Sequence, residues 1–600
     1  MPRRAAATAP TPAPVRHEVR IASLHGHRYA VRLRIERPAA TQRVSLPAWI
    51  PGSYLIREFA RHLLPITASQ GRAARACRQI DKSSWDIDCD PRRPLELRYE
   101  VYAFDTSVRT AWLDGERGFF NGTSLLLRVH GQEQAAHELT VHAPPQRRDW
   151  QLATAMTPAQ VDARGFGRYR ADDYDELVDH PVELGTFWSG HFKAGGVPHR
   201  FVVAGAPAAF DGERLLRDTQ KICETAIRLW HGAKAPPHRR YLFMLNAVGD
   251  GYGGLEHRAS TALICGRHEL PRHDSPASAA QVGDGYVTLL GLISHEYFHA
   301  WNVKRLKPAE FAPYDFTREN YTRLLWFFEG FTSYYDDLLL RRAGLLDDAA
   351  YLKLLTKTIN QVQQAPGRHV QSVAQASFDA WVRYYRPDEN TPNSTISYYT
   401  KGALVALCFD LTLRREGRAT LDDVMRAVWQ RCRGGPMTEA DFADTLAQVG
   451  GRRFDAEIAA WVHATDELPL RPLLQAQGVQ VLDEPSQLAQ TLGLRVDDGP
   501  GVRIKVVLDG SPAAAAGLAA GDEWLGVEPA APTPRGAASG WRLNQLDDLP
   551  LYAGRARQLV ALVARDQRLL RLPLALPDKS TTWRLAPPGK ADAAASWPGR

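Results

Sequence analysis

The alternation of apolar and polar positions over roughly residues 16–190 predicts a β-rich domain. In RYAVRLRIE, every second residue is apolar and belongs to one face: Tyr29, Val31, Leu33 and Ile35. The segment LELRYEV repeats this pattern. A period of two is typical of strands with one buried face and one face in water. Breakers such as PGS and NGT separate the runs, as expected between strands.

From about residue 195 to 470 the apolar residues recur with helical spacing. The clearest segments are GERLLRDTQKICETAIRLWHG and YYTKGALVALCFDLTLRREG. The second segment ends at Gly417, a residue type that commonly terminates helices. The pattern predicts a mainly helical domain with a few strands near residues 200–265.

A third unit is predicted over residues 475–577. A strand, a Gly-Ser-Pro turn, an Ala-rich helix and a Gly-Asp pair before another strand resemble the core of a PDZ domain. Leu492, Gly493 and Leu494 would form its carboxylate-binding loop, with a peptide or an intramolecular ligand added to a strand edge. The alternative is a docked structural domain that binds nothing. The segment 528–540 is predicted to be a flexible insertion.

The expected fold class is therefore multidomain α+β, with terminal tails at 1–15 and 578–600. Hydrophobic content of 44% and charged content of 24% are typical of a globular protein. The net charge of +7 is dispersed, which disfavours a nucleic-acid partner. No apolar run reaches the length of a membrane span. The N-terminal segment MPRRAAATAPTPAPV lacks the apolar core of a signal peptide, so the expected location is cytoplasmic. The expected location would be periplasmic if a misannotated start codon hides an export signal.

The segment ISHEYFH carries the most specific chemical pattern. His295 and His299 are four apart, so on a helix both imidazoles lie on one face and can bind one metal ion. Glu296 is then placed to take a proton from water, which is the logic of the H-E-x-x-H motif. The alternative is an amphipathic helix with two partly buried histidines, because three residues match by chance often.

A catalytic zinc needs a third protein ligand, and Glu329 in LLWFFEGF is the best candidate. A carboxylate among aromatic residues is costly to bury, and metal ligation would explain it. The alternative is a glutamate stabilised at a helix start. Asp336, two helical turns on, either accepts the second N–H of a ligating histidine or is a surface aspartate.

HEYFHAWNVKRLKP followed by FFEGFTSYYDDLLL resembles the glycyl aminopeptidase family, which are zinc metallopeptidases carrying a PDZ domain. The likeness extends to GGLEHRAST, SYYTKGALVAL, LPAWIPGSYLIREFARH and LDGERGFFNGTSLLL. It therefore covers nearly the whole chain. The resemblance implies one zinc ion per chain, peptide substrates and a thermolysin-like (gluzincin) catalytic domain.

The resemblance also implies roles for residues that would otherwise be unremarkable. In the broader aminopeptidase-N-like group, a G-x-M-E-N stretch binds the substrate's free amine. The matching stretch here contains Gly253, Gly254 and Glu256, with His257 in place of the asparagine. A tyrosine that stabilises the tetrahedral intermediate corresponds to Tyr399, with neighbouring Tyr398 as the alternative.

The spacing departs from that group between the metal ligands. There are 29 residues between His299 and Glu329 (329 − 299 − 1). The insert AWNVKRLKPAEFAPYDFTREN, residues 300–320, is expected to loop out between two helices.

These features predict a hydrolase, namely a zinc aminopeptidase that removes small N-terminal residues such as Gly and Ala. One alternative is an endopeptidase using the same zinc site. Another is a non-catalytic PDZ scaffold, which the intact set of His295, Glu296, His299 and Glu329 argues against.

Overall fold

The structure, a computed structural model, describes residues 14–274, 283–529, 540–578, 580–587 and 597. Residues 1–13 of the first predicted tail and most of the predicted insertion at 528–540 lie outside the described residues. The prediction of a tail over 578–600 is wrong in part, because Thr581–Ala586 form a strand that pairs with Gln480–Pro485. The chain divides into two compact units, of which the first runs to Asn320 and includes residues 434–436. The second comprises residues 321–433 and 437–600.

The first part of unit 1 is built from strands, as the period-two pattern predicts. Their bounds are β1 Val15–Ser23, β2 Arg28–Ile35, β3 Thr41–Ser45, β4 Thr67–Gln70, β5 Ala73–Arg75, β6 Cys77–Asp81, β7 Ser84–Asp88, β8 Leu95–Tyr102, β9 Ala111–Leu113, β10 Arg117–Phe120, β11 Arg128–Val129, β12 His137–Val141, β13 Gln151–Ala153, β14 Thr157–Val161, β15 Gly167–Ala171 and β16 Val182–Gly185. The largest sheet has the order β14-β15-β12-β1-β2-β8-β4-β5. Smaller sheets have the orders β13-β16-β10-β9 and β11-β3-β7-β6.

Burial in β2 follows the sequence pattern. Tyr29, Val31, Leu33 and Ile35 are buried, whereas the residues between them are half-buried. The buried faces of these sheets form one apolar core. Burying each such side chain stabilises the fold by about 1.5–3 kcal/mol. Each strand is therefore oriented with its apolar face toward the core.

The rest of unit 1 is a mixed sheet with helices against it. Its strands are β17 Trp188–Ala194, β18 Val197–Ala204, β19 Tyr241–Val248, β20 Gly253–Glu256 and β21 Ser260–Gly266, and the short β22 Lys307–Pro308 follows. The sheet order is β17-β18-β19-β21-β20, with β18, β19 and β21 parallel and β20 antiparallel at the edge. The unit 1 helices are α1 Gly122–Leu125, α2 Tyr174–Val178, α3 Gly212–His231 and α4 Asp284–Phe298.

Unit 2 begins with helices, in agreement with the 3.6-residue periodicity. They are α5 Leu325–Phe328, α6 Gly330–Arg342, α7 Asp348–Gln364, α8 Val373–Phe378, α9 Thr391–Ser394, α10 Thr400–Glu416, α11 Leu421–Arg431, α12 Glu439–Gly450, α13 Asp455–Ile458 and α14 Leu470–Ala476. The short strand β23 spans Pro436–Met437. Helix α10 ends where the sequence predicts, because Gly417 adopts a left-handed conformation (φ 71°) that caps it.

The C-terminal part of unit 2 is a small sheet with short helices. Its strands are β24 Gln480–Pro485, β25 Leu494–Asp498, β26 Val502–Val507, β27 Glu523–Pro529, β28 Trp541–Arg542, β29 Gln558–Arg565, β30 Arg568–Ala575 and β31 Thr581–Ala586, and its helices are α15 Leu488–Leu492, α16 Pro512–Ala515 and α17 Leu549–Ala553. The main order is β25-β26-β27-β29-β30, and β24 pairs with β31. Among the described residues, no helix is both long and apolar enough to cross a membrane.

Candidate metal centre

Helix α4 presents the two histidines of the H-E-x-x-H pattern. Its apolar residues pack into the interior, where Leu289 and Ile293 are fully buried. His299 caps the helix with helical φ, so the four-residue spacing is kept to its end. The rings of His295 and His299 lie 4.6 Å apart, centroid to centroid, at an angle of 87°.

A hydrogen bond determines which nitrogen of His299 is available. Its Nδ1 lies 2.7 Å from the carbonyl oxygen of Asn302. Since a carbonyl oxygen can only accept, Nδ1 carries the proton and Nε2 keeps its lone pair for a metal ion. Sequence reasoning missed Asn302. The available signal was its place three residues after the ligand, in the first turn of the insert.

Glu329 lies between α5 and α6, at the N-terminal end of α6, and is 2% exposed. Ligand atoms of His295, His299 and Glu329 all lie within 4.8 Å of one another. Two imidazole nitrogens and a carboxylate oxygen are a donor set that suits zinc at a catalytic site. The three residues therefore fit the metal that the sequence predicts. Asp336 is half-buried in α6, and its proposed contact with a histidine stays a prediction.

Glu296, the predicted proton acceptor, packs directly against the edge strand. A Cβ added at Gly254 in β20 would lie well inside van der Waals contact with the carboxylate of Glu296. Glu296 itself is 5% exposed. Glycine at this position is therefore required for the edge strand to come this close to the carboxylate. The edge position of β20 also leaves backbone groups on which an extended peptide can pair.

Glu256, the last residue of β20, is 3% exposed. The next residue, His257, is buried, and its Nδ1 lies 3.4 Å from Oδ1 of Asp179. Nζ of Lys304 contacts the same oxygen at 2.8 Å. Burial lowers the pKa of His257 to about 4, so its ring is neutral near neutral pH.

His257, which replaces the asparagine of the related motif, therefore contacts a buried Asp179–Lys304 ion pair. Asp179 comes from the residues before β16, and Lys304 comes from the insert after His299, where its N–H donates to the His299 carbonyl oxygen (3.1 Å). Neither residue carries a local sequence signal, because each is a single charge in an otherwise ordinary segment.

Tyr399 belongs to a cluster of tyrosines in unit 2. Its hydroxyl lies 3.2 Å from that of Tyr385, and its ring stacks on Tyr384 at 5.2 Å between centroids. Burial and the nearby Glu329 carboxylate raise the pKa of Tyr399 well above its usual range, so the hydroxyl keeps its proton. Tyr398 is fully buried, whereas Tyr399 is half-buried.

The predicted carboxylate-binding loop has a compact local structure. Gly493 caps α15 with a left-handed conformation (φ 72°), and its N–H donates to the carbonyl oxygens of Ala489 and Gln490. Leu492 ends the helix and Leu494 begins β25, and both are buried. The N–H of Gly493 thus already has partners within the domain.

Comparisons with known proteins show which family models and which solved structures the chain resembles. Residues 288–405 match the family model described as M61 glycyl aminopeptidase, and residues 16–186 match the Peptidase M61 N-terminal domain. An aminopeptidase N family protein from Idiomarina loihiensis has 35% identity and a TM-score of 0.90, over 96% of this chain and 99% of that chain. An M1 zinc metallopeptidase from Deinococcus radiodurans, a mutant bound to a Tyr-Ser-Ala substrate, has 14% identity and a TM-score of 0.47, over 76% of this chain and 95% of that chain. No curated protein sequence matches the chain.

Proposed function

Because the chain belongs to the M61 glycyl aminopeptidase family and is a zinc aminopeptidase, we propose that it removes small N-terminal residues, glycine and alanine first, from peptides. The observation that carries the assignment of the site is the group formed by His295, His299 and Glu329, with ligand atoms within 4.8 Å of one another. The preference for small residues rests on the family description.

His295, His299 and Glu329 would hold one zinc ion per chain, with His299 binding through Nε2 because Nδ1 donates to Asn302. When bound, zinc supplies Lewis acidity, which polarises the scissile carbonyl and lowers the pKa of water. The chain's own residues must then bind the substrate, move the proton and stabilise the developing charge.

Glu296 is the proposed general base. It accepts a proton from the attacking water and passes it to the leaving amine, a role that typically contributes 10²–10⁴-fold. The Tyr399 hydroxyl is proposed to donate a hydrogen bond to the carbonyl oxygen as negative charge develops there. The Tyr399 hydroxyl lies close enough to the proposed ligand Glu329 to feel its charge, which supports this role.

Glu256 is the proposed partner of the substrate's α-ammonium group. A charge-assisted hydrogen bond to a nearly buried carboxylate is stronger than a neutral one. The backbone of Gly253 and Gly254 would pair with the substrate chain beside it. Together these contacts would set the cleavage position one residue from the amine.

The test is a panel of Gly-, Ala-, Leu- and acetyl-Gly-anilides, assayed with and without a chelator and alongside metal analysis. We expect zinc, chelator-sensitive cleavage, turnover of Gly- and Ala-anilide above Leu-anilide, and no cleavage of the acetylated substrate. Equal cleavage of Gly- and acetyl-Gly-anilide would instead favour the endopeptidase alternative.

We also propose that residues 475–577 form a PDZ-like domain. The order β25-β26-β27-β29-β30 leaves β25 at one edge of the sheet, which supports a strand edge open to peptide addition. Titration with a panel of peptides that end in free or amidated carboxyl groups tests this. Binding that is indifferent to the carboxyl group would contradict the PDZ mode.

A further inference from the structure

A glycine turn of the N-terminal β-rich region lies directly against the amine-binding carboxylate. Gly52 has φ +96°, and a Cβ added there would lie 2.5 Å from Oε1 and 2.6 Å from Oε2 of Glu256. Real Cβ atoms do not approach carboxylate oxygens that closely. Only the bare backbone of a glycine can therefore occupy this position without displacing the Glu256 side chain.

The turn is closed by hydrogen bonds and buried at its base. The N–H of Ser53 donates to the carbonyl oxygen of Ile50 at 3.0 Å, which closes the turn. Both residues are at most 1% exposed. Arg57 ties the turn down, because its guanidinium Nη2 donates to Ser53 Oγ (2.6 Å) and its N–H donates to the Ala48 carbonyl oxygen (2.8 Å).

The insert between the metal ligands holds this turn in place. The indole N–H of Trp49 donates to the carbonyl oxygen of Asp315 at 2.8 Å. The N–H of Ala48 donates to the carbonyl oxygen of Phe316 at the same distance. Aromatic contacts add to these bonds, since Trp49 packs edge-on against Tyr314 with 5.8 Å between centroids. The insert therefore supports the segment LPAWIPGSY, a motif that metal binding and proton transfer leave unexplained.

We propose that the Pro51–Gly52–Ser53 turn is the wall behind the substrate's α-amine and sterically excludes substituents on that nitrogen. This inference rests on the proposed function, in which Glu256 binds the ammonium group. An ammonium group bound to the Glu256 carboxylate would lie close to Gly52, because Gly52 lies against the same carboxylate. A preceding residue or an acyl group on the nitrogen would have to occupy the volume that the turn fills.

The wall and the carboxylate exclude substrates for different reasons, and this separates them experimentally. Acetylation removes the positive charge and adds bulk, so it cannot distinguish the two. N-methylglycine keeps the positive charge and two N–H donors, and adds a single methyl group. Charge recognition by Glu256 alone would accept N-methylglycine, whereas a wall would reject it.

The first experiment compares glycyl-anilide with N-methylglycyl-anilide on the wild-type enzyme. We expect KM for the methylated substrate to be at least tenfold higher, with kcat changed less than KM. Equal KM values would overturn the wall and leave the aminopeptidase assignment intact. Equal cleavage of glycyl- and acetylglycyl-anilide would instead be a failure of the proposed function.

The second experiment is Gly52→Ala, with Gly131→Ala as the matched control. Gly131 also has a positive φ (+84°) and lies in the same β-rich region, but an added Cβ would meet no atom within 4 Å. Both variants therefore carry backbone strain, but only the Cβ of Gly52→Ala would contact Glu256. We expect Gly52→Ala to raise KM for glycyl-anilide at least tenfold with zinc retained, and Gly131→Ala to stay within twofold of wild type. A Gly52→Ala enzyme with wild-type KM would refute the proposal.

Discussion

Lys304→Met removes one partner of a buried ion pair that joins the insert to Asp179, the residue that follows α2. Asp179 and Lys304 are 6% and 3% exposed, and their charged atoms are 2.8 Å apart. Removing one member of such a pair leaves the other charge buried, which typically costs about 3–5 kcal/mol. Arg258 still contacts Asp179 in this variant. Its backbone N–H donates to Oδ2 of Asp179 at 2.9 Å, and its Nε lies 3.9 Å from the same oxygen. We therefore expect the lower end of that range, about 3 kcal/mol.

Urea unfolding, followed by circular dichroism, measures this loss as a lower midpoint at an unchanged slope. The matched control is Lys505→Met, since Lys505 pairs with Asp497 at a similar 2.9 Å but both side chains are about 60% exposed. An exposed pair contributes about 0–1 kcal/mol. If the two variants lose the same stability, the assignment of a strong buried pair is wrong.

A double variant tests whether the loss comes from the orphaned charge. Asp179→Asn combined with Lys304→Met removes both charges, and the amide oxygen can still accept from the Arg258 N–H. We expect the double variant to be more stable than Lys304→Met alone, because uncharged replacements of a buried pair are often close to neutral. A loss equal to the sum of the single losses would contradict this account.

The pH dependence follows from the same contacts. Burial alone would raise the pKa of Asp179, but Lys304, Arg258 and His257 outweigh burial and hold that pKa well below its usual range. A lowered folded-state pKa means that the stabilisation is complete above the ordinary carboxyl pKa of about 4 and is lost as pH falls below it. The difference between wild type and Lys304→Met should therefore shrink on acidification below about pH 4.

The remaining predictions concern the metal centre and its substrate. His299→Ala should lose most of its zinc by metal analysis, and full occupancy would contradict the ligand assignment. Glu296→Gln should keep zinc and lose about 10²–10⁴-fold in kcat, so near-normal turnover would place proton transfer elsewhere. Tyr399→Phe should lose roughly 3–4 kcal/mol of transition-state stabilisation with KM little changed, and a crippled Tyr398→Phe enzyme would instead shift the assignment by one residue. Glu256→Ala should raise KM for Gly-anilide with zinc retained, and unchanged kinetics would remove Glu256 from amine binding.

The sequence alone determined those helices and strands, and those site residues, whose geometry depends on neighbours close in the chain. The alternation in β2 and the glycine stop of α10 were predicted correctly, because burial on one face and left-handed capping depend on residues close in the chain. His295 and His299 share a helix face for the same reason. Glu329 was predicted as their partner from its aromatic setting, and its ligand atom does lie with theirs.

Only the tertiary structure decided what surrounds the Glu256 carboxylate. Gly52 lies against Glu256, although 203 positions (256 − 52 − 1) separate them in the chain. The insert was predicted as a loop between helices, but its support of Trp49 through Asp315, 266 residues away, was not predictable. Asp179 likewise meets His257 across 78 residues. Such contacts depend on which sheets and loops pack together, and hydrophobic periodicity specifies which face of a strand is buried but not which distant turn covers it.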